Sequence, residues 1–320
     1  MKGKCKKIVG VLVALLLLLS GCAEQEGYEK SYIAVIPKYA HSDYFREVAK
    51  GVNIAAIEYS VTTSFEGAKN EEDYQTQNDL IDRAVEAGAD AIVLSAIDYN
   101  KSVESLEKAH KAGVKIISID SGVNFDDVYQ TIESDNYETG KQAAEEMLSL
   151  RRGEVKVGIV NFDKNSANGI ERERGFRERM EQEERVTIVD AINTVSNVSE
   201  ATDEVVEMLQ AHADINSMVA FNEFTSLGAG YAVKELQLGN QVDVVAVDNS
   251  IPSIGMVETG EIDKLLVQNP FAMGYLGIES AVNAIKNVEP TQKHVYTSAL
   301  VVDRNNLYDV DSQRFVFPFD

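Results

Sequence analysis

The chain has 320 residues, with 30 Lys+Arg against 52 Asp+Glu, a formal net charge of −22, two cysteines and no tryptophan. At 44% hydrophobic and 26% charged it can bury a sizeable core, and its length suggests about two domains. The acidity argues against nucleic acid, or an anionic membrane met through a basic patch, because both need a cationic surface. Two cysteines build neither a disulfide framework nor a four-cysteine zinc site.

The N-terminus comes first. Lys2, Lys4, Lys6 and Lys7 precede an apolar run from Ile8 to Leu19, broken only by Gly10. The run is short for a membrane span, which needs ~20 residues, and it has the flanks of a signal peptide. Leu19-Ser20-Gly21-Cys22 follows. Small residues directly before a cysteine resemble the bacterial lipoprotein signal, in which the chain is cut before the cysteine and the thiol then carries a diacylglycerol. The alternative is an uncleaved anchor helix. The lipoprotein reading makes residues 1–21 a signal peptide, Cys22 the lipidation site and 22–30 a short polar tether. Loss of the four lysines takes the 30 basic residues to 26 and the net charge from −22 to −26. Cys5 leaves with the signal, so no free thiol remains for catalysis or a disulfide.

Strand-like runs then recur. The first four are Tyr32–Pro37, Ser60–Phe65, Asp90–Ala96 and Lys115–Asp120; four more are Val155–Val160, Val186–Ile192, Ile215–Phe221 and Val242–Asp248. Within each set the starts lie 25 to 31 residues apart, and the gaps carry helical periodicity. Phe45, Val48, Ala49, Val52, Ala55 and Ala56 share one face, as do Leu80, Ile81, Ala84 and Val85, and later Leu276, Ala281, Val282 and Ile285. A strand and a helix every ~30 residues means βα units and parallel sheets covered on both faces. The widest interval separates the two sets and contains a short run, Val128–Glu133, and a helix from about Tyr137 to Leu150. The predicted class is therefore α/β, with two doubly wound parallel-sheet lobes. One larger sheet, or an eight-stranded βα barrel, remains the alternative. Phe315, Phe317 and Phe319 alternate as in a short strand near the C-terminus.

In open α/β sheets ligands bind beyond the C-terminal strand ends. Those ends carry Lys38-Tyr39-Ala40-His41-Ser42-Asp43-Tyr44-Phe45, then Ser95 with Asp98, Asp120-Ser121, Asn161, Asn193, Asn222-Glu223, Asp248-Asn249 and Val267-Gln268-Asn269. The helix after Asn161 bears Arg172-Glu173-Arg174-Gly175-Phe176. Rings, carboxylates, amides and an arginine suit a neutral polyhydroxylated ligand. Rings cover the apolar faces of a sugar, and planar polar groups pair with neighbouring hydroxyls.

Taken in order, these motifs resemble the ribose/galactose-type (type I) periplasmic sugar-binding proteins. The matches are Tyr32-Ile33-Ala34-Val35-Ile36, Ser42-Asp43-Tyr44-Phe45, Ile119-Asp120, Glu133-Ser134-Asp135-Asn136, Arg172-x-x-Gly175-Phe176, Phe221-Asn222-Glu223, Val247-Asp248-Asn249 and Val267-Gln268-Asn269-Pro270. The resemblance implies two lobes joined by three segments, crossing near Asp135-Asn136, Gln268-Asn269 and Thr297-Ala299. Residues 31–135 plus 269–297 would form the N-terminal lobe, and 136–268 plus 298–320 the C-terminal one. Tyr44 and Phe45 would stack on the sugar, and Ser42 stands where the family often has Asn. Asp120 would accept from two hydroxyls and Arg172 would donate from the second lobe. Asn222, Asp248 and Gln268 would complete the contacts. Ser121 departs from ribose binders, which often carry Arg there, and the missing tryptophan removes a ring common in hexose binders. The resemblance implies a lipid-anchored extracytoplasmic monomer that delivers a sugar to a membrane permease of the ATP-driven type, or reports it to a sensor kinase or chemoreceptor.

Other readings of single residues stand beside these. Phe45 also fits a buried helix face, and Asp120 a turn. The carboxylates at Glu71-Glu72-Asp73 and Asp126-Asp127 read as solvated faces. His41, His110, His212 and His294 are isolated, and no metalloprotease, phosphate-loop or serine-hydrolase motif is present. No enzyme activity, cofactor or metal is expected.

Overall fold

The computed structural model describes residues 30–317. Residues 1–29, which hold the expected signal peptide, Cys22 and most of the expected tether, lie outside the described residues, as does Phe319. Strands form on the short apolar runs that recur along the chain. The first sheet holds β1 (Tyr32–Ile36), β2 (Thr62–Phe65), β3 (Ala91–Leu94), β4 (Lys115–Ile119), β5 (Gln130–Glu133) and β11 (His294–Tyr296). Their order is β11-β5-β4-β3-β1-β2, and every neighbouring pair is parallel. The second sheet holds β6 (Val155–Asn161), β7 (Val186–Asn193), β8 (Ser217–Ala220), β9 (Asp243–Val247), β10 (Lys264–Val267) and β12 (Leu300–Val302). Its order is β12-β10-β9-β8-β6-β7, parallel except where β12 runs against β10. Two separate sheets exclude the single large sheet and the barrel.

Each sheet is covered on both faces, as parallel sheets require. In β1, Ile33 and Val35 pack with Val48, Val52 and Ala55 of α1 (Asp43–Glu58) and with Ile278 and Ala281 of α9 (Pro270–Ile285). The alternate residues Ala34 and Ile36 pack with Ile81 of α2 (Tyr74–Glu86) and Leu106 of α3 (Val103–Lys111). In the second lobe Val157 and Ile159 of β6 meet Ala144 and Met147 of α4 (Asn136–Leu150) and Phe176 of α5 (Ala167–Met180). The opposite face meets α6 (Val198–Ala211), α7 (Glu223–Glu235) and α8 (Ile251–Thr259) through Val205, Val233 and Val257.

Both lobes contain a close helix crossing built on paired glycines. A Cβ at Gly51 would collide with the Phe271 carbonyl of α9, and one at Gly274 with Val48 of α1. Likewise, a Cβ at Gly140 of α4 would meet the Arg172 carbonyl of α5, and one at Gly175 the Tyr137 carbonyl. The chain passes between sheets after Glu133, after Val267 and after Tyr296.

The tail differs from expectation. Val310–Val316 is a helix, α10, not a strand. Ser312, Phe315 and Val316 have helical spacing, with Ser312 and Val316 buried and Phe315 against the second core. That spacing prevails over the alternation of phenylalanines, seating Phe315 on the core of the second lobe.

Candidate functional site

Both sheets end at one place. Asp120 directly follows β4 and Asp248 directly follows β9. Each donates its backbone N–H to the adjacent strand, Asp120 to the Ile132 carbonyl at 2.9 Å and Asp248 to that of Leu266 at 3.0 Å. Each also has a positive φ, 61° and 75°, a region uncommon outside glycine in which Asp is among the tolerated residues. This turn ends each strand and leaves the carboxylate at the sheet's C-terminal edge.

Seven of the eight expected contacts line one small, tightly closed cavity of about 20 Å³: Ser42, Tyr44, Phe45, Asp120, Arg172, Asn222 and Asp248. Gln268 does not line it. It stands behind Asp248 and donates its Nε2–H to the Asp248 carboxylate, while its Oε1 is buried with no hydrogen-bond partner. Phe45 is 2% exposed and lies mainly in the first core, edge-on to Tyr44. Its helix stripe draws it inward, so it serves the core as well as the cavity wall. Tyr44 donates its hydroxyl to Asp120 at 2.9 Å. Burial, then the nearby Asp120 charge, holds that phenol well above the ordinary tyrosine range.

Asp120 also accepts from Ser95 Oγ at 2.7 Å and from Asn168 Nδ2 at 3.4 Å. Asp248 accepts the Glu223 N–H at 3.2 Å, and burial pushes its carboxyl up against the pull of Arg172. Arg172 is 1% exposed. It donates from Nε to Asn136 at 2.9 Å and from Nη1 to the Phe221 carbonyl at 2.6 Å, and its Nη2 is buried without a partner. Held at two points and open at the third, this guanidinium can bind a ligand oxygen. The glycine pair at Gly140 and Gly175 brings α4 close enough for Asn136 to reach it. Ser42 and Asn222 begin α1 and α7 and cap them, accepting from Phe45 N at 3.1 Å and Thr225 N at 2.9 Å. The Asn222 Oδ1 also accepts from Thr225 Oγ1 at 2.9 Å, which fills it, while the Ser42 Oγ accepts a single bond. What remains for a ligand is the Ser42 O–H and the Asn222 amide N–H₂.

The cavity wall also contains Lys38 and Glu223, which the sequence places among the strand-end residues, and Glu71, Phe162, Asn168 and Phe224, which it does not single out as contacts. Lys38 is 2% exposed and crosses between lobes, donating to Ser166 Oγ at 2.5 Å and Asn168 Oδ1 at 3.1 Å above the Phe162 ring. Its signal in the sequence is its place two residues past β1, after Pro37. Glu71, expected on a solvated face, is 7% exposed and accepts from Ser196 Oγ of the second lobe at 3.0 Å. The burial comes from the other lobe, which no local pattern reports. Among the remaining residues at strand ends, His41 is exposed against Tyr39, and Asp98 accepts from Asn100 N and Lys101 N within its own turn.

A family model described as periplasmic binding protein domain matches residues 33–289. The chain is 23% identical to the D-allose-binding periplasmic protein of Escherichia coli, across 88% of this chain and 91% of that one. It is also 23% identical to the ribose import binding protein of Bacillus subtilis, across 89% and 96%. A carbohydrate transporter solute binding protein from Agrobacterium radiobacter, solved with D-arabinose, superposes with a TM-score of 0.87 at 25% identity, over 90% of this chain and 99% of that one.

Proposed function

Because the chain belongs to the periplasmic binding protein domain family, we propose that it is an extracytoplasmic solute-binding protein that closes two lobes on a neutral monosaccharide-like ligand and passes it to an ATP-driven importer. The observation that carries this reading is the convergence of both sheets' strand ends on one buried cavity. Its wall pairs two carboxylates, Asp120 and Asp248, with an arginine that has an unused donor. Relatives named for D-allose binding and ribose import support the same class of ligand.

The mechanism follows from the division of the wall. Ser42, Tyr44 and Asp120 belong to one lobe; Arg172, Asn222 and Asp248 belong to the other. We assign residues 31–135 with 269–297 to the first lobe and 136–268 with 298–320 to the second. A ligand bridging both sets binds the closed form better than the open one, and that difference drives closure about the hinge. Carboxylates accept from hydroxyls while Arg172 and Asn222 donate to them, and Gln268 fixes Asp248 from behind. Lipid on Cys22 would hold a monomeric body at the membrane beside the permease.

A thermal-shift screen tests the ligand class, since a ligand that binds only the folded form raises Tm. D-Ribose, D-allose, D-arabinose, polyols and nucleosides are the probes. A shift with one of the sugars supports the reading. No shift with any sugar-like ligand, together with one from an amino acid or peptide, sinks it. For the anchor, mass spectrometry should find diacylglycerol on Cys22, and Cys22→Ala should release the protein from membranes.

A further inference from the structure

Glutamates cross the mouth of the cleft in both directions. From the first lobe, Glu71 accepts Ser196 Oγ–H at 3.0 Å and Glu72 accepts Ser196 N–H at 2.7 Å. From the second lobe, Glu223 accepts the N–H groups of Asp43 at 3.3 Å and Tyr44 at 3.1 Å, the first turn of α1. Glu71 and Glu223 are 7% and 8% exposed and both line the cavity. Facing Glu71 are Lys38, Asp120 and Glu72; facing Glu223 are Asp248, Glu71 and Arg46; facing Glu72 is Asp163. Lys38 gives its hydrogen bonds to Ser166 and Asn168 rather than to Glu71. The closed mouth thus brings acids together out of water with little cationic compensation.

We propose that Glu71 and Glu223 set the closing equilibrium of the cleft, and that closing takes up protons on them. The proposal rests on the hinge-closing reading above and not on which sugar is bound. They are positioning residues for closure. When the lobes part, each carboxylate loses its cross-lobe donors and regains water, which returns it toward the ordinary glutamate pKa of about 4.3. In the closed form burial pushes Glu71 up to about 7 against the pull of Lys38, and Glu223 up to about 7 against its bond to Tyr44 N. Burial moves Glu72 in the same direction. The closed form therefore binds more protons than the open one. Its advantage is fully present below the open-form pKa and is lost as pH rises through about 7. Glu133 is also pushed up to about 7 by burial, but its partner Asn136 lies three residues along the chain, on the crossing segment itself, where the two stay together as the lobes part, so Glu133 serves as the control.

Calorimetry with D-ribose, D-allose and D-arabinose, run from pH 5.5 to 8.5 in two buffers of different ionisation heat, reads the proton count directly. The expected result is uptake of about one proton per bound sugar at pH 7, and an affinity falling about tenfold per glutamate between pH 6 and pH 8. Glutamine keeps an acceptor oxygen without the charge. Glu71→Gln with Glu223→Gln should hold at pH 8 the wild-type affinity of pH 6 and abolish uptake, Glu71→Ala with Glu223→Ala should bind weakly at every pH, and Glu133→Gln should keep the wild-type slope. A flat wild-type profile overturns the proposal, and so do glutamine variants that weaken binding at every pH with the slope intact. If none of the sugars binds, the sugar reading fails by itself and closure is read without ligand. Spin labels at Arg83→Cys and Glu207→Cys, one on each lobe, in a chain carrying Cys5→Ser and Cys22→Ser, should then show shorter distances at pH 6 than at pH 8. Unchanged distances overturn the proposal.

Discussion

The two walls of the cleft are built on the same plan and finished differently. In each lobe an aspartate at positive φ ends an interior strand, and in each a glycine pair presses two helices together. Asp120 is held by side-chain hydroxyls of its own lobe, Tyr44 and Ser95, and also touches Asn168 of the other lobe. Asp248 is held by Gln268 and a backbone N–H, both from its own lobe. One carboxylate thus takes part in closing and the other is fixed before it. A shared topology places the acids, and the neighbouring side chains decide which of them senses the opposite lobe.

The largest effects should come from removing the groups that face the ligand. Asp120→Ala and Arg172→Ala should each lower sugar affinity at least about 100-fold, since each charged hydrogen bond contributes roughly 1.5–3 kcal/mol and each residue makes more than one. Calorimetry measures this, and circular dichroism checks that the protein remains folded. Wild-type affinity in both variants would refute the cleft assignment. If Asp248→Ala weakens binding and Asp120→Ala does not, the contrast between the two acids is reversed.

The glycine pairs give an intermediate test. Gly140→Ala and Gly51→Ala both place a methyl against backbone, so each should cost about 1–3 kcal/mol of stability. Their effects on binding should diverge. The crossing at Gly140 seats Asn136 against Arg172, so Gly140→Ala should also weaken affinity about tenfold, in line with the ~1.4 kcal/mol that a misplaced charged hydrogen bond can lose. Gly51 faces Phe271 and Tyr275, neither of which lines the cavity, and its variant should keep the affinity. Equal affinity losses would remove the link between the second crossing and Arg172.

Much of this arrangement was legible in the sequence because it depends on local order. Apolar strand runs and the ~30-residue βα spacing fix the class, and polar residues past the strands mark Asp120, Asn222 and Asp248. The Arg172-x-x-Gly175-Phe176 spacing separates the buried arginine from Arg174, which pairs with Glu171 and Glu178 at the surface. The rest depends on the lobes meeting. Glu71 sits in an acidic run that looks solvated until Ser196 covers it, and Lys38 becomes buried only against Phe162 and Ser166. The resemblance implies a ligand contact at Gln268, and in the structure its amide turns to the Asp248 carboxylate.

The smallest effects separate capping from ligand contact. Ser42 and Asn222 start helices on opposite walls, so Ser42→Ala and Asn222→Ala should each cost about 1 kcal/mol of stability, seen as a lower denaturant midpoint. Ser42 has a single hydroxyl left to offer, whereas the Asn222 amide can donate two hydrogens. Ser42→Ala should therefore change sugar affinity by no more than about threefold, and Asn222→Ala by about tenfold, the difference being one neutral hydrogen bond of roughly 0.5–1.5 kcal/mol. If Ser42→Ala weakened binding as much as Asp120→Ala, the first wall would depend on the helix cap itself, because a displaced α1 N-terminus moves both Tyr44 and the N–H groups that receive Glu223.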